Sequence, residues 1–306
     1  MRRILPFLIA LTIATPLFAG SPGTSGADIL KNPPGVRPAA MGGAYSAFGD
    51  DIYVIGYNPA GLSKVAKYSL GADHVQGFGD VQTQSLGFTV PTQRFGMFGA
   101  QVLYRHMPDI HNELAVDPPV KAYDLVLTVA NSRLFGKVSV GGAFKTLFLN
   151  LGDKSAFANA FDLGAKVSVA GFDLAGAVQN AGPSVRFEPD PVGKDPLPLT
   201  LRAGAARPVF VKNDSTLLAG LDVFHVNDEG LQAALGAEYW HKSIVALRGG
   251  YRWGSEESLN RGFSLGAGLR HGIGRLEYEV GYAWKPSRVQ SDFTLNSHLF
   301  GILFWY

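Results

Sequence analysis

The sequence predicts an all-β transmembrane barrel of fourteen antiparallel strands. Three observations predict it. Apolar residues alternate with small or polar ones at period two through most of the chain after residue 68. The gaps between alternating segments are long and short in turn. No segment of the mature chain reaches the run of about 20 apolar residues that a membrane helix needs.

The alternation is clearest in the second half. Leu276, Tyr278, Val280, Tyr282 and Trp284 share one face, with Glu277, Glu279, Gly281 and Ala283 on the other. Phe161, Leu163, Ala165 and Val167 alternate in the same way with Asp162, Gly164, Lys166 and Ser168. Fourteen segments read as strands: 68–75, 82–90, 95–105, 122–131, 136–148, 159–169, 172–180, 198–206, 215–224, 231–240, 243–253, 262–271, 274–284 and 296–306. Most are near the ten residues of a tilted membrane strand, against five or six for strands of soluble domains.

The gaps 76–81, 106–121, 149–158, 181–197, 225–230, 254–261 and 285–295 read as long loops. The gaps 91–94, 132–135, 170–171, 241–242 and 272–273 read as tight turns, with 207–214 as the exception. Long loops at one end and tight turns at the other is the pattern of bacterial outer-membrane barrels. An even strand number puts both chain ends on the periplasmic side.

The last segment places Phe300, Ile302, Phe304 and Tyr306 on one face and ends on an aromatic. This resembles the C-terminal signal through which the barrel assembly machinery takes up its clients. In a soluble protein such an edge strand invites aggregation, and pairing it with the first strand removes the edge.

Composition agrees. Charged residues make up 17% of the 306, against roughly 25% in soluble domains. Glycine contributes 38 residues, well above the usual share of roughly 7%. Gly141, Gly164, Gly204, Gly220, Gly236, Gly250, Gly266, Gly268 and Gly281 fall on the inward face, where small residues leave room for a plug or a ligand. Cysteine is absent, which excludes a disulfide scaffold, a thiolate metal site and a lipid-anchored N-terminus. Residues 1–19, with Arg2, Arg3 and the apolar run Ile4–Ala14, read as a secretory signal peptide. The 27 Lys and Arg, less Arg2 and Arg3, equal the 25 Asp and Glu, so the mature chain offers nucleic acid no electrostatic footprint.

Residues 20–67 do not alternate. They contain Arg37, then Met41-Gly42-Gly43-Ala44-Tyr45, a paired Asp50-Asp51, and Asn58-Pro59-Ala60-Gly61-Leu62. Asn58-Pro59 sets a turn, and Gly61 is expected to adopt a conformation closed to other residues. Asp50 and Asp51 read as a hydrogen-bonded turn, with cation coordination or pairing to luminal arginines as the alternatives. With these motifs the segment resembles the PorV/PorQ family of FadL-type outer-membrane barrels. The resemblance implies a small N-terminal hatch in the lumen at 20–67, followed by the barrel at 68–306. Pro38 departs from the smaller residue commoner there.

With the apolar face toward outer-membrane lipid, the lumen receives Lys145, Lys166, Arg202, Asp222, Glu238, Arg248, Arg252, Arg270, Glu277 and Glu279. Such charges pair with one another or line water. They read as a ladder bracing the hatch, or as a patch for a ligand head group. His106 and His111, with Asp109 and Glu113, fall in a proline-containing loop and carry no expectation of a metal. No cofactor is implied, and no nucleophile–base constellation points to an enzyme. The FadL-type resemblance implies passage or binding of a hydrophobic or amphipathic small molecule. The PorV resemblance implies instead a component of type IX secretion that binds secreted-protein C-terminal signals. A structural or adhesive barrel is the third reading, and the mixed, proline-rich loop 181–197 slightly disfavours a greasy groove.

Overall fold

The computed structural model describes residues 23–108, 120–189, 193–254, 261–289 and 293–306, without the side chains of 287–289 and 293–295. The expected signal peptide, Asp109, His111 and Glu113 lie outside the described residues. Fourteen long strands form the wall: β1 Ser69–Gln76, β2 Gln82–Thr92, β3 Gly96–His106, β4 Ala122–Phe135, β5 Val138–Leu151, β6 Lys154–Val169 and β7 Phe172–Ala181. They continue as β8 Thr200–Lys212, β9 Ser215–Val226, β10 Gly230–His241, β11 Val245–Trp253, β12 Gly262–Ile273, β13 Leu276–Val289 and β14 Phe293–Trp305. Each pairs antiparallel with its sequence neighbours, and β1 pairs with β14 from Ser69↔Trp305 to Gln76↔His298, which closes the barrel. A two-residue strand, Phe187–Glu188, pairs with the start of β6.

The wall is inside out relative to a soluble domain. Leu86, Phe88, Leu163, Leu247, Leu269 and Phe300 are exposed on the outer face, while Asp162, Asp222, Glu238, Arg248 and Glu279 are buried. Outward apolar side chains suit lipid in place of a core, and the backbone groups of the wall pair strand to strand, apart from register shifts at Phe161/Leu163 and Leu217/Leu218. Phe300 and Tyr306 are exposed and Ile302 and Phe304 half-buried, while the intervening Leu303 and Trp305 are buried.

Two expected connections are corrected. The gap 149–158 is a Gly152-Asp153 turn between strands that pair up to Leu151↔Lys154. Its period is hidden because the inward side is also apolar: Leu147, Leu149, Ala156, Ala158 and Ala160 cluster with Ile29, Leu30, Val185 and Leu197. The exception at 207–214 disappears. β8 and β9 pair up to Lys212↔Ser215 around Asn213-Asp214, both at positive φ, the geometry of a two-residue hairpin turn. Pro208 in that strand faces Leu218 where the register shifts, the kind of place a sheet tolerates proline. The strands also run further than expected at 225–230 and 285–295, leaving three residues each between them. All even-to-odd connections are therefore tight. Extended ones remain at 107–121, 182–199 and 254–261 at the other end.

Candidate functional site

The N-terminal segment is too rich in glycine and proline for long helices, and it folds as single turns. They are a 3-10 turn at Asp28–Lys31, the helix α1 at Val36–Ala40, and 3-10 turns at Ile52–Gly56 and Pro59–Lys64. Asp51 caps the third by accepting from Tyr53 N at 3.0 Å, and Asn58 caps the fourth by accepting from Ala60 N at 3.1 Å. The described part of the segment begins near the long-loop end, where Gly26 N donates to Pro196 O. It reaches the tight-turn end at Ser63, whose hydroxyl bonds Ser139 Oγ at 2.6 Å. Met41, Tyr45, Ile52, Ile55 and Leu62 are fully buried.

The inward glycines explain how it fits. A Cβ on Gly141 would stand 2.5 Å from Ala60 N, one on Gly236 2.6 Å from Met41 O, and one on Gly250 2.2 Å from Met41 C. On Gly220 it would meet Phe48, on Gly266 Ala40, and on Gly164 Asn58. The glycine excess thus forms a cradle for backbone running along the wall. Gly61 departs from expectation. It is not among the positive-φ glycines, and its role is close packing, since a Cβ would lie 2.3 Å from Val54 Cγ2. Gly42 and Gly43 are the left-handed positions of the motif, at φ 67° and 85°.

Charge fixes the segment to β9–β13. Arg37 Nε and Nη2 donate to the two oxygens of Glu238, each at 2.7 Å. Its Nη1 bonds Asp51 Oδ2 at 3.2 Å and also Asp50. Arg248 bonds Glu238 at 2.7 Å and Glu279 at 2.6 Å, and Arg270 closes the chain on Glu279 at 3.0 Å. Asp51 makes the expected hydrogen-bonded turn through Tyr53 N, and both aspartates also pair with an arginine, one of the segment itself whose role the sequence motif did not reveal. Tyr45 Oη donates to Asp51 at 2.5 Å. Burial pushes Asp51 up to about 6, against Arg37 and Tyr45. Arg37 gives its two-pronged edge to Glu238, so its remaining contact does not offset that burial.

A second set lies beside it. Asp222 accepts from Ser46 Oγ at 2.8 Å, from Ser46 N at 3.1 Å and from Arg202 Nη1 at 3.0 Å. The Arg202 guanidinium sits 4.0 Å over the Phe224 ring and 5.4 Å from that of Tyr57. Arg252 bonds Gln232 at 2.9 Å. Glu277 is set apart from this patch: it is half exposed and pairs with Lys67 at 3.2 Å. Asp73, unremarked in the sequence, accepts from Val36 N at 3.2 Å and Ser85 Oγ at 2.9 Å. Lys31 pairs with Asp228 at 2.7 Å at the long-loop end. Burial opposes the Lys31 ammonium, but Asp228, Asp28 and Glu229 hold it above its usual range. Among the described residues no His, Asp and Glu cluster has the makings of a metal site.

Between the segment and β1, β2, β13 and β14 lies a cavity of about 390 Å³, facing the long loops. Ile29, Pro33, Val75, Phe78 and Leu299 supply apolar wall, Arg252 supplies a cation and Lys285 an amine.

Residues 22–171 match the model of an uncharacterised protein family, UPF0164. No curated protein sequence matches the chain. Among solved structures, the Pseudomonas putida toluene transporter TodX is 12% identical with a TM-score of 0.56, over 95% of this chain and 98% of that one. The monoaromatic hydrocarbon channel CymD is 14% identical with a TM-score of 0.57, over 89% and 97%. A Pseudomonas aeruginosa FadL homologue is 11% identical with a TM-score of 0.52, over 89% and 97%. The chain shares the fold of FadL-type barrels.

Proposed function

We propose that the chain is an outer-membrane barrel passing hydrophobic or amphipathic small molecules inward from its long-loop end, past a hatch formed by residues 20–67. The observation that carries this reading is the cavity between segment and wall. It is open toward the long loops, apolar over most of its lining, and holds Arg252 and Lys285, where a polar end would rest. Met41-Gly42-Gly43, Asp50-Asp51 and Asn58-Pro59-Ala60-Gly61 are the hatch elements, and Arg37 with Glu238 is its latch. The fold shared with hydrocarbon channels supports the same reading. The luminal charges serve as bracing, with Arg252 the member that faces the ligand space. A secretion role rests on the motif between Met41 and Leu62 alone.

The test is toluene influx into vesicles carrying the full chain. Filling the cavity with Val75→Trp is expected to cut influx severalfold while the unheated protein keeps the gel mobility of a folded barrel. Unchanged influx would count against the proposal. Lost cargo secretion in a deletion strain, with influx intact, would favour the secretion role.

A further inference from the structure

We propose that the tight-turn end of the barrel is a collar for the headgroups of anionic phospholipids. This rests on the membrane-spanning reading of the barrel and goes beyond the transport role. Five of the six tight hairpins at this end carry a cation in or beside the turn, and the sixth borrows one from a neighbouring strand. The cations are Arg94, Lys137, Arg207, Lys212, Lys242 and Arg275, all exposed and spread around the circumference. Arg207 serves the one turn without its own cation, Ala170-Gly171, by lying 4.7 Å over the Phe172 ring at its edge.

Carboxylates at this end are mostly taken. Asp173 accepts from Ser168 and pairs with Lys166 at 3.2 Å, and Glu277 pairs with Lys67 at 3.2 Å. Asp214 is the exposed remainder. The described residues of the long-loop end are different, with Lys31, Arg105 and Lys121 set among Asp28, Asp124 and Asp228.

Geometry says what the cations meet. Two of them, and Arg133 beside them, rest on exposed aromatic rings: Arg94 at 5.3 Å from Phe95, Arg207 over Phe172, and Arg133 at 5.4 Å from Phe135. Phe95, Phe135 and Phe172 are exposed, Phe135 and Phe172 on the outward face of their strands and Phe95 in the turn. Aromatic rings at a membrane boundary sit at headgroup level. A guanidinium stacked on such a ring is held at that same depth, with its stem along the apolar wall and its charge outward. A soluble acidic partner would need charge on the turn tips alone. Cations docked against lipid-facing rings fit phosphates standing in the plane of the leaflet.

The test uses vesicles of phosphatidylcholine with a minority of phosphatidylglycerol, and reads by mass spectrometry which lipids stay with the extracted full-length barrel. The wild type is expected to retain phosphatidylglycerol about fivefold above its bulk share, the factor one Lys or Arg near an anionic surface supplies. R94Q/K137Q/R207Q/K212Q/K242Q/R275Q is expected to return to the bulk ratio while keeping folded-barrel mobility. The wild type washed at about 1 M salt, where screening acts within roughly 3 Å, is expected to do the same, so the test does not depend on the variant folding. A wild type holding lipids at the bulk ratio, or a neutralised variant as enriched as wild type, would overturn the collar and leave the transport reading intact. A chain that inserts into no vesicle would overturn both.

Discussion

The two halves of the lumen hold the N-terminal segment by different physics. Toward β9–β13 the contacts add charge to the glycine seats under Ala40, Met41 and Phe48: Arg37 on Glu238, Ser46 on Asp222, with Arg248, Arg270 and Arg202 behind them. Toward β2–β6 they are steric: Ile52 over Gly87, Ile55 and Leu62 over Gly99, Pro59 and Ala60 over Gly141, Asn58 over Gly164. Hydrogen bonds from Ser132 to Ala60 O and from Asn58 to Ala165 O add register there. The difference bears on how a hatch moves. Glycine seats hold backbone on both sides, but the ion pairs of β9–β13 can exchange for water or for a charged ligand, and that exchange loosens this side first. A hatch built this way is expected to hinge on the β2–β6 side and to open on the β9–β13 side.

The most extensive effect is expected from breaking the steric side, because the whole segment then loses its seat. Gly141→Val sets two methyl groups where the Pro59–Ala60 backbone already lies, and overpacking of this kind costs typically 1–3 kcal/mol or more. The barrel is expected to close without its segment, giving protease cleavage within 36–64 and higher ion conductance in a planar bilayer. A protected segment would mean that the slot relaxes. Next is the ionic side. Glu238→Gln leaves Arg37 and Arg248 buried beside a neutral amide, a loss of about 3–5 kcal/mol for a broken buried pair. Amide exchange is expected to speed across 36–51 and stay slow across 52–64, which is the sharpest form of the contrast between the halves. Uniform acceleration would erase it.

The wall was legible in the sequence because an inside-out barrel writes its two faces as alternating chemistry. Where both faces are apolar, as at Leu147–Ala160, the signal vanished and a loop was expected in its place. The inward glycines were visible too, but what they face was not. The segment's turns are four to six residues long, below any period, so its path follows from tertiary packing. Arg37 stands in the sequence as one residue of a motif. Its importance comes from Glu238, which lies 201 positions away. Gly61 shows the converse: the conformation closed to other residues that its motif suggests is absent, and close contact with Val54 is what requires glycine there.

A smaller effect concerns pH. Asp51 titrates near 6 because burial raises it, while an unfolded aspartate titrates near 3.9. The packed segment therefore binds the extra proton between those values. Its docking is fully supported below about pH 4 and loses that support as pH rises through about 6. Exchange of 45–57 is expected to quicken between pH 5 and pH 8 in the wild type and to change less in Asp51→Asn. An identical pH response in the two proteins would assign the titration elsewhere. The smallest effect is at the cavity. Arg252→Ala is expected to weaken binding of a carboxylate-bearing amphipath by about tenfold, roughly what a charge-assisted hydrogen bond contributes, and to leave toluene binding unchanged. Equal losses for both would mean that Arg252 shapes the cavity instead of reading charge.

The central claim is that the segment must move on its β9–β13 side for a ligand to pass. The chain contains no cysteine, so an engineered pair is free of competitors. Val36 Cβ lies 3.7 Å from where a Cβ on Gly281 would stand, close to the roughly 3.8 Å of a disulfide. In Val36→Cys/Gly281→Cys, oxidation is expected to stop toluene influx and reduction to restore it. Equal influx in the two states would contradict the account.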